Sequence, residues 1–377
     1  MYIMSNSAGH QPGLFDDSNE REALAAPPMD GRLAKARNPS ADTRTAAVTA
    51  AKPDPEHVTW AAALDAHHAG RWHFGTSSWH FPGWDKLVYG TRHPADTLSR
   101  QGLRAYAQHP LMRTVSLDRA FYRPLDARTY RTLADQVGPS FRFVVKAPAL
   151  VTDASLRAAA DGRPEGPNPR FLDPEAAATL ALQPAVEGLG ERLGVLVFQL
   201  SPLTAPWLAN QAERLLQRLE ALWARLMPEV PAGTVLALEV RDPALLRPPL
   251  ARQLKQHGVR YCLGLHDRMP PIEGQLDMLR ALWPGDLVCR WNLQRGLRYE
   301  VARERFEPFN RLQAPDPATR AVLAQLVAAT LRAGHRAFVT INNKAEGSAP
   351  LSVAELARAT AERLSDGADP ARPSIPG

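Results

Sequence analysis

Three ionisable residues lie at the ends of apolar segments, where an unpaired charge is costly. Lys146 follows Phe-Val-Val, Glu239 follows Leu-Ala-Leu, and His266 follows Leu-Gly-Leu. A carboxylate or imidazole in such a place can accept a proton, and a lysine can form a Schiff base. We therefore interpret Glu239, His266 and Lys146 as candidate catalytic residues. A buried Lys–Glu or Arg–Glu ion pair is the structural alternative.

A second set of residues, polar or aromatic, follows other apolar segments and could bind a substrate. Arginine can bind a phosphate or a carboxylate through two parallel hydrogen bonds. Aromatic rings can stack on a ligand and exclude water. The candidate substrate-binding residues are Trp79, Tyr122, Gln199, Arg241, Arg290, Asn292, Asn342 and Asn343. This set predicts a site for a small polar anionic metabolite that carries a phosphate or a carboxylate.

Other kinds of site have little support in the sequence. Glu239, His266 and Asp267 could ligate a metal, but no second histidine or carboxylate pair completes a set, so we predict no metal site. No dinucleotide-binding glycine motif follows the first strand, and neither a nucleotide P-loop nor a nucleophile elbow is present. The cofactor is therefore unknown from sequence.

The charge of the chain leaves more than one function open. The net charge is +6 and the pI about 9.5, yet no run of five basic residues occurs. A small-molecule ligand is the first hypothesis. Nucleic-acid binding or processing is the alternative, because aromatic residues lie among basic ones. A non-catalytic ligand-binding or scaffolding barrel is the third. The sequence decides neither whether the protein is an enzyme nor its oligomeric state.

These candidate residues can come together only if strands and helices alternate along the chain in a way that brings the strand ends to one side. From residue 72 the chain alternates short apolar segments with longer segments of helical spacing, and parallel strands need such helix-length connections. Eight strands favour a closed TIM-type (β/α)8 barrel of the α/β class, whose active site lies at the carboxyl ends of the strands. The predicted strands are Trp72–Thr76, Thr114–Asp118, Phe141–Ala147, Gly194–Leu200, Val235–Arg241, Arg260–His266, Leu287–Trp291 and Ala337–Asn342.

Helices and termini complete the predicted domain. The predicted helices include Asp54–His68, Ala127–Gln136, Ala205–Met227, Pro243–His257, Pro317–Ala333 and Leu351–Leu364. Ser352 and Glu355 have the spacing of a capping box that opens the last helix. Residues 1–55 have little apolar content to bury and predict a disordered tail. The barrel domain is predicted over 56–365 and a flexible C-terminus over 366–377.

The sequence favours neither a membrane protein nor a protein stabilised by disulfide bonds. The sequence has no apolar segment of about 18 residues and no signal-peptide core, so we expect no membrane partner. Cys262 and Cys289 lie in apolar segments and predict buried, reduced thiols, which agrees with a cytoplasmic location.

Five segments of the chain, taken together, resemble one protein family. They are Phe74–Trp84, Ala120–Pro148, Leu193–Pro202, Leu238–Leu246 and Phe338–Pro350, within a resemblance spanning residues 72–365. The family is domain of unknown function 72, the YecE-like proteins. The resemblance implies a TIM-barrel-like fold and no established activity.

The chain departs from the usual pattern of this family at four strand ends. Phe-Arg-His-Pro of the family appears as Val240-Arg241-Asp242-Pro243, and Gln-Leu-Pro-Pro appears as Gln199-Leu200-Ser201-Pro202. Where the family has Glu-Ile-Asn, this chain has Ser116-Leu117-Asp118. Where the family has Arg-Leu-His, this chain has Arg290-Trp291-Asn292. A glutamate and a histidine of the family pattern are therefore missing at these last two strand ends.

Overall fold

The computed structural model describes residues 47–157 and 164–366, and its centre is a closed barrel of eight parallel strands. The strands in chain order are β1 (Trp72–Thr76), β2 (Thr114–Leu117), β3 (Arg142–Lys146), β4 (Ser155–Arg157), β5 (Pro164–Pro167), β6 (Leu193–Gln199), β7 (Val235–Glu239), β8 (Arg260–Leu265), β9 (Leu287–Trp291) and β10 (Ala337–Ile341). Around the barrel the order is β1-β10-β9-β8-β7-β6-β3-β2, so β1 lies between β10 and β2. The predicted α/β barrel is confirmed, and each of the eight predicted strands is present within one or two residues.

Helices connect the strands, as a parallel barrel requires. They are α1 (Pro55–His68), α2 (Ala95–Gln101), α3 (Leu103–Tyr106), α4 (Arg119–Tyr122), α5 (Ala127–Ala134), α6 (Ala149–Thr152), α7 (Pro174–Ala177), α8 (Gln183–Leu189), α9 (Ala205–Asn210), α10 (Ala212–Leu226), α11 (Pro248–Gln256), α12 (Leu276–Ala281), α13 (Tyr299–Phe306), α14 (Pro317–Arg332), α15 (Asn343–Glu346) and α16 (Ala349–Asp366). None of these helices is long and apolar enough to cross a membrane.

The structure corrects three helix predictions. The segment predicted as one helix, Ala205–Met227, is two helices, α9 and α10, separated at Gln211. The segment Pro243–His257 starts with a short 3-10 turn, and α11 begins only at Pro248. The predicted capping box is wrong. The helix α16 begins at Ala349, so Ser352 lies inside its first turn and does not precede the helix as a cap would.

Two parts of the chain have structure that the sequence patterns did not predict. Strands β4 and β5 pair as an antiparallel hairpin between β3 and β6, outside the barrel. Ala50, which the predicted tail includes, forms a bridge with Tyr89. Residues 1–46 and 367–377 lie outside the described residues, so their flexibility stays a prediction.

Side chains that point into the barrel form two layers. The lower layer is an apolar cluster of Val144, Val195, Val197, Val235, Ala237, Cys262, Val288 and Phe338. Alternate residues of a strand face the same side, so the next inward positions follow two residues later. These positions, at the carboxyl ends, are Lys146, Gln199, Glu239, Gly264, Arg290 and Thr340. An apolar floor therefore supports a polar upper layer. Cys262 and Cys289 are buried free thiols, as predicted.

Candidate functional site

An ion-pair network fills the barrel at the carboxyl ends of its strands. Glu239 is fully buried, and Arg290 Nη1 donates to Glu239 Oε2 across 2.6 Å. Arg241 Nη2 lies 2.8 Å from the other carboxylate oxygen, Glu239 Oε1. Gln199 Oε1 accepts from both guanidinium groups, at 2.8 Å from Arg241 and 3.1 Å from Arg290. One buried carboxylate is thus paired with two arginines.

Asp118 connects this network to the surface. Both of its carboxylate oxygens accept from Arg290 Nη2 at 2.8 Å, and Oδ1 also accepts from Ser116 Oγ at 2.6 Å. The side chain of Asp118 is 14% exposed, whereas that of Glu239 is completely enclosed. Arg290 therefore bridges an inner and an outer carboxylate.

The network keeps its groups charged although they are buried. Burial acts to raise the pKa of Glu239, but Arg241 and Arg290 outweigh it and hold that pKa at about 2. Burial likewise acts to lower the pKa of Arg290, while Asp118 and Glu239 raise it above its usual range. Each charge is stabilised by its neighbours, so removal of one member leaves the others uncompensated.

A cavity of about 370 Å³ opens beside Asp118. Its walls come from residues 77–83 after β1, residues 116–119 at the end of β2, and parts of 299–309 in and after α13. Lys344, which follows β10, also lines it. The cavity therefore lies over three neighbouring strand ends, on the face where barrels of this type carry their sites. Its volume is within the range of small-molecule sites.

Arg119 contributes an unpaired charge to the cavity wall. It is half-buried, its Nε has no hydrogen-bond partner, and no carboxylate among the described residues pairs with its guanidinium group. The guanidinium carbon lies 5.7 Å from the centre of the Trp79 ring. Burial lowers the pKa of Arg119, which reflects partial loss of water around the cation. Such a group is suited to bind an anion.

His80 lines the same cavity beside Ser78. Ser78 Oγ and His80 Nδ1 are 2.7 Å apart, and the imidazole stacks on the Phe81 ring. Burial, together with the charge of Arg119, lowers the pKa of His80 to about 4. The imidazole is therefore neutral at physiological pH and can exchange a proton with a bound molecule.

We expect the ring nitrogens of His80 to keep neutral-imidazole chemical shifts in ¹⁵N NMR spectra between about pH 8 and pH 5.5. The physical reason is the lowered pKa of His80, which puts its protonation below this range. The variant His80→Gln assigns the signals, and free histidine in the same buffer provides the reference titration. A midpoint near 6.5 for His80 would contradict the expected neutral state.

The wall opposite β2 depends on one close approach between two loops. A Cβ at Gly83 would lie 1.8 Å from the carbonyl oxygen of Pro308, so only glycine fits there. Next to this contact, Phe309 has a φ of 67°, in the left-handed region that bulky residues avoid. Such a conformation costs on the order of 1–3 kcal/mol and must be held by its surroundings. The Phe309 ring packs edge-to-face on Phe81, with centroids 5.5 Å apart.

The predicted site residues divide between this cavity and the network. Trp79 lines the cavity, while Gln199, Glu239, Arg241 and Arg290 form the network.

Lys146 belongs to the same layer, and its charge adds to the lowering of the Glu239 pKa. Its Nζ lies 3.5 Å from the centre of the Phe121 ring. Tyr122 packs edge-to-face on Phe121 at 5.4 Å. Both predicted residues therefore contact the aromatic side chain just after β2.

The predicted asparagines and His266 contact other residues at the carboxyl-terminal end of the barrel. Asn342 donates to Ser77 Oγ, Asn343 accepts from Trp84 Nε1 and from the amide of Ala349, and Asn292 donates weakly to the carbonyl of Arg290. His266 Nδ1 contacts the carboxylate of Asp267, and burial lowers the pKa of His266. The two residues Asn342 and Asn343 thus hold loops in place around the cavity.

The predicted candidate residues omit several residues of the cavity wall, above all Ser78, His80, Asp118, Arg119 and Lys344. Asp118 ends a predicted strand and Arg119 directly follows it, so the strand-end rule could have added both to the candidates. Within residues 47–157 and 164–366, no three potential metal ligands come together.

Comparisons with solved structures give matches at low sequence identity. A DUF72 family protein from Enterococcus faecalis V583 is 17% identical, with 79% of this chain and 99% of that chain covered and a TM-score of 0.47. A DUF72 family protein from Thermotoga maritima MSB8 is 18% identical, with 76% and 98% covered and a TM-score of 0.49. A comparison with curated proteins gave no match.

A family model also matches most of the chain. The model described as "Protein of unknown function DUF72" matches residues 73–374, which include the barrel, the ion-pair network and the cavity. The chain therefore belongs to the DUF72 family.

Proposed function

We propose that the cavity beside Asp118 binds a small metabolite that carries a phosphate or a carboxylate. The observation that carries this proposal is Arg119, a half-buried guanidinium group in the cavity wall without a carboxylate partner among the described residues. Partial desolvation of a cation is unfavourable unless an opposite charge compensates it. A bound anion would supply that charge.

The surroundings of Arg119 support a small ligand over a long polymer. The cavity of about 370 Å³ is large enough for a metabolite. Lys344 and the half-buried Arg303 also line its wall, and Arg303 pairs with Glu307 at 3.7 Å. Asp118 is fixed by Arg290 and can accept a hydrogen bond from a ligand hydroxyl. Neutral His80 is the group in this wall best suited to move a proton, should the ligand be transformed.

The variant Arg119→Gln should weaken the binding of inorganic phosphate by about tenfold or more, because a hydrogen bond to a charged group contributes roughly 1.5–3 kcal/mol. The measurement is the transverse relaxation of phosphate in ³¹P NMR, titrated with the full chain. Arg123→Gln is the matched control, since Arg123 is exposed, ends the same short helix and does not line the cavity. It should bind phosphate like the unchanged protein.

Equal affinity of the unchanged protein and Arg119→Gln would rule out Arg119 as the anion-binding group. Equal weakening by Arg119→Gln and Arg123→Gln would mean that phosphate responds to net charge and not to this cavity. In both cases the proposed function fails.

A further inference from the structure

The cavity has an apolar side that the binding of a simple anion does not use. Four aromatic residues line it, namely Trp79, Phe81, Tyr299 and Phe309. Trp79 and Phe309 are buried, and Phe81 and Tyr299 are half-buried. A flat apolar group would fill this side by contact with the rings alone, whereas a sugar would need hydrogen-bonding partners for its hydroxyl groups as well.

The aromatic side is held rigidly. Phe309 keeps its ring in the wall through an unfavourable left-handed backbone conformation, with a φ of 67°. Its ring packs on Phe81, and Phe81 stacks on His80 with the two ring planes only 8° apart. The close approach of Gly83 to Pro308 fixes the two loops against each other. Conformational strain of this kind persists where the surrounding structure enforces it, and it gathers at binding sites.

Basic groups lie over the faces of these rings. Arg119 lies over Trp79, with 5.7 Å between the guanidinium carbon and the ring centre. Lys344 Nζ lies 4.0 Å from the centre of the Tyr299 ring and 5.9 Å from that of Phe309. Because Arg119 follows β2 and Lys344 follows β10, the two cations lie on either side of the end of β1. The cavity thus combines an aromatic wall with a cationic rim.

We infer that the ligand of this cavity is an amphipathic anion, a phosphate monoester or carboxylate joined to a flat apolar ring. The anionic group binds at Arg119, and the ring packs against Phe81 and Phe309. This inference rests on the proposed function and adds the chemical class of the part of the ligand that carries no charge.

The test compares pairs of probes that share an anionic group. The full chain is titrated by calorimetry with phenyl phosphate, methyl phosphate and glucose 6-phosphate, and separately with benzoate and acetate. We expect at least one ring-bearing probe to bind tenfold or more tightly than its ringless partner, because the ring removes apolar surface from water. We also expect glucose 6-phosphate to bind no more tightly than methyl phosphate. The better of phenyl phosphate and benzoate identifies the anionic group.

Two variants test whether the ring of the probe binds against Phe309 and Phe81. Phe309→Gly removes the side chain at a backbone conformation that glycine adopts without strain, and Phe81→Leu replaces a ring with an aliphatic side chain of lower volume. Each should reduce the preference for the ring-bearing probe over its ringless partner at least threefold. Val301→Ala, at an exposed position of α13 outside the cavity wall, should leave every affinity unchanged.

The outcomes separate this inference from the proposed function. If the ringless anions bind through Arg119 and the ring adds no affinity, the inference is overturned and the proposed function stands. A ring preference that survives in both Phe309→Gly and Phe81→Leu also overturns it. If none of the five probes binds, the proposed function fails and the inference fails with it.

Discussion

Replacing Glu239 with glutamine should lower the free energy of unfolding by about 3–5 kcal/mol, the range observed when one partner of a buried ion pair is removed. Glutamine keeps the volume of the side chain but leaves Arg241 without a carboxylate partner among the described residues, and Arg290 with Asp118 alone. The measurement is equilibrium denaturation by urea at pH 7. Glu187→Gln is the control, because Glu187 forms an exposed ion pair with Arg131 and should change stability by less than about 1 kcal/mol.

The pH dependence tests the cause of this loss. The pKa of Glu239 is about 2 in the folded protein, compared with 4.5 for an ordinary glutamate side chain in water. A lowered carboxyl pKa contributes stability that is present above pH 4.5 and disappears as the pH falls towards 2. The stability difference between the unchanged protein and Glu239→Gln should therefore narrow over this interval. A difference that stays constant down to pH 2 would show that the charge of Glu239 is not its source.

Gly83→Ala should open the cavity wall and reduce stability by about 2 kcal/mol or more, as overpacking of a buried contact does. The added Cβ would lie 1.8 Å from the Pro308 carbonyl oxygen, and this atom belongs to the backbone, so the two loops must separate. We expect phosphate binding to fall together with the denaturation midpoint, because these two loops form the wall of the cavity.

Gly138→Ala is the matched control for this variant. A Cβ at Gly138 meets no atom within 4 Å, so the same chemical change should be neutral or slightly stabilising. If Gly83→Ala has the stability and phosphate affinity of Gly138→Ala, the close approach of the two loops is not needed for the cavity.

The barrel was predictable because its signals are local and repeated. Strands such as Trp72–Thr76 and Leu287–Trp291 are short apolar segments between helices, and their predicted bounds agree with the structure. The hairpin of β4 and β5 was missed because Ser155–Arg157 and Pro164–Pro167 have neither alternating polarity nor apolar length. The helix α16 begins before Ser352 because a cap depends on the backbone path as well as on residue spacing.

The ion-pair network and the cavity also differ in how far the sequence predicts them. Glu239 was suspected of a buried pairing because three apolar residues precede it, and its contacts with Arg241 and Arg290 agree with that hypothesis. The cavity instead combines residues 77–83 with residues 299–309, two segments separated by more than half of the chain. Neither has a periodic pattern, so their approach at Gly83 and Pro308 follows only from the closure of the barrel.

The contact of Ser116 with Asp118 bears on the departure of this chain from the family pattern. The resemblance aligns a glutamate of that pattern with Ser116 and an asparagine with Asp118. Both positions face the same side at the end of β2, and Asp118 supplies a carboxylate to Arg290 there. The chain thus has a negative charge at this strand end although it lacks the glutamate. Without Asp118, the buried Arg290 would have Glu239 as its one carboxylate partner among the described residues.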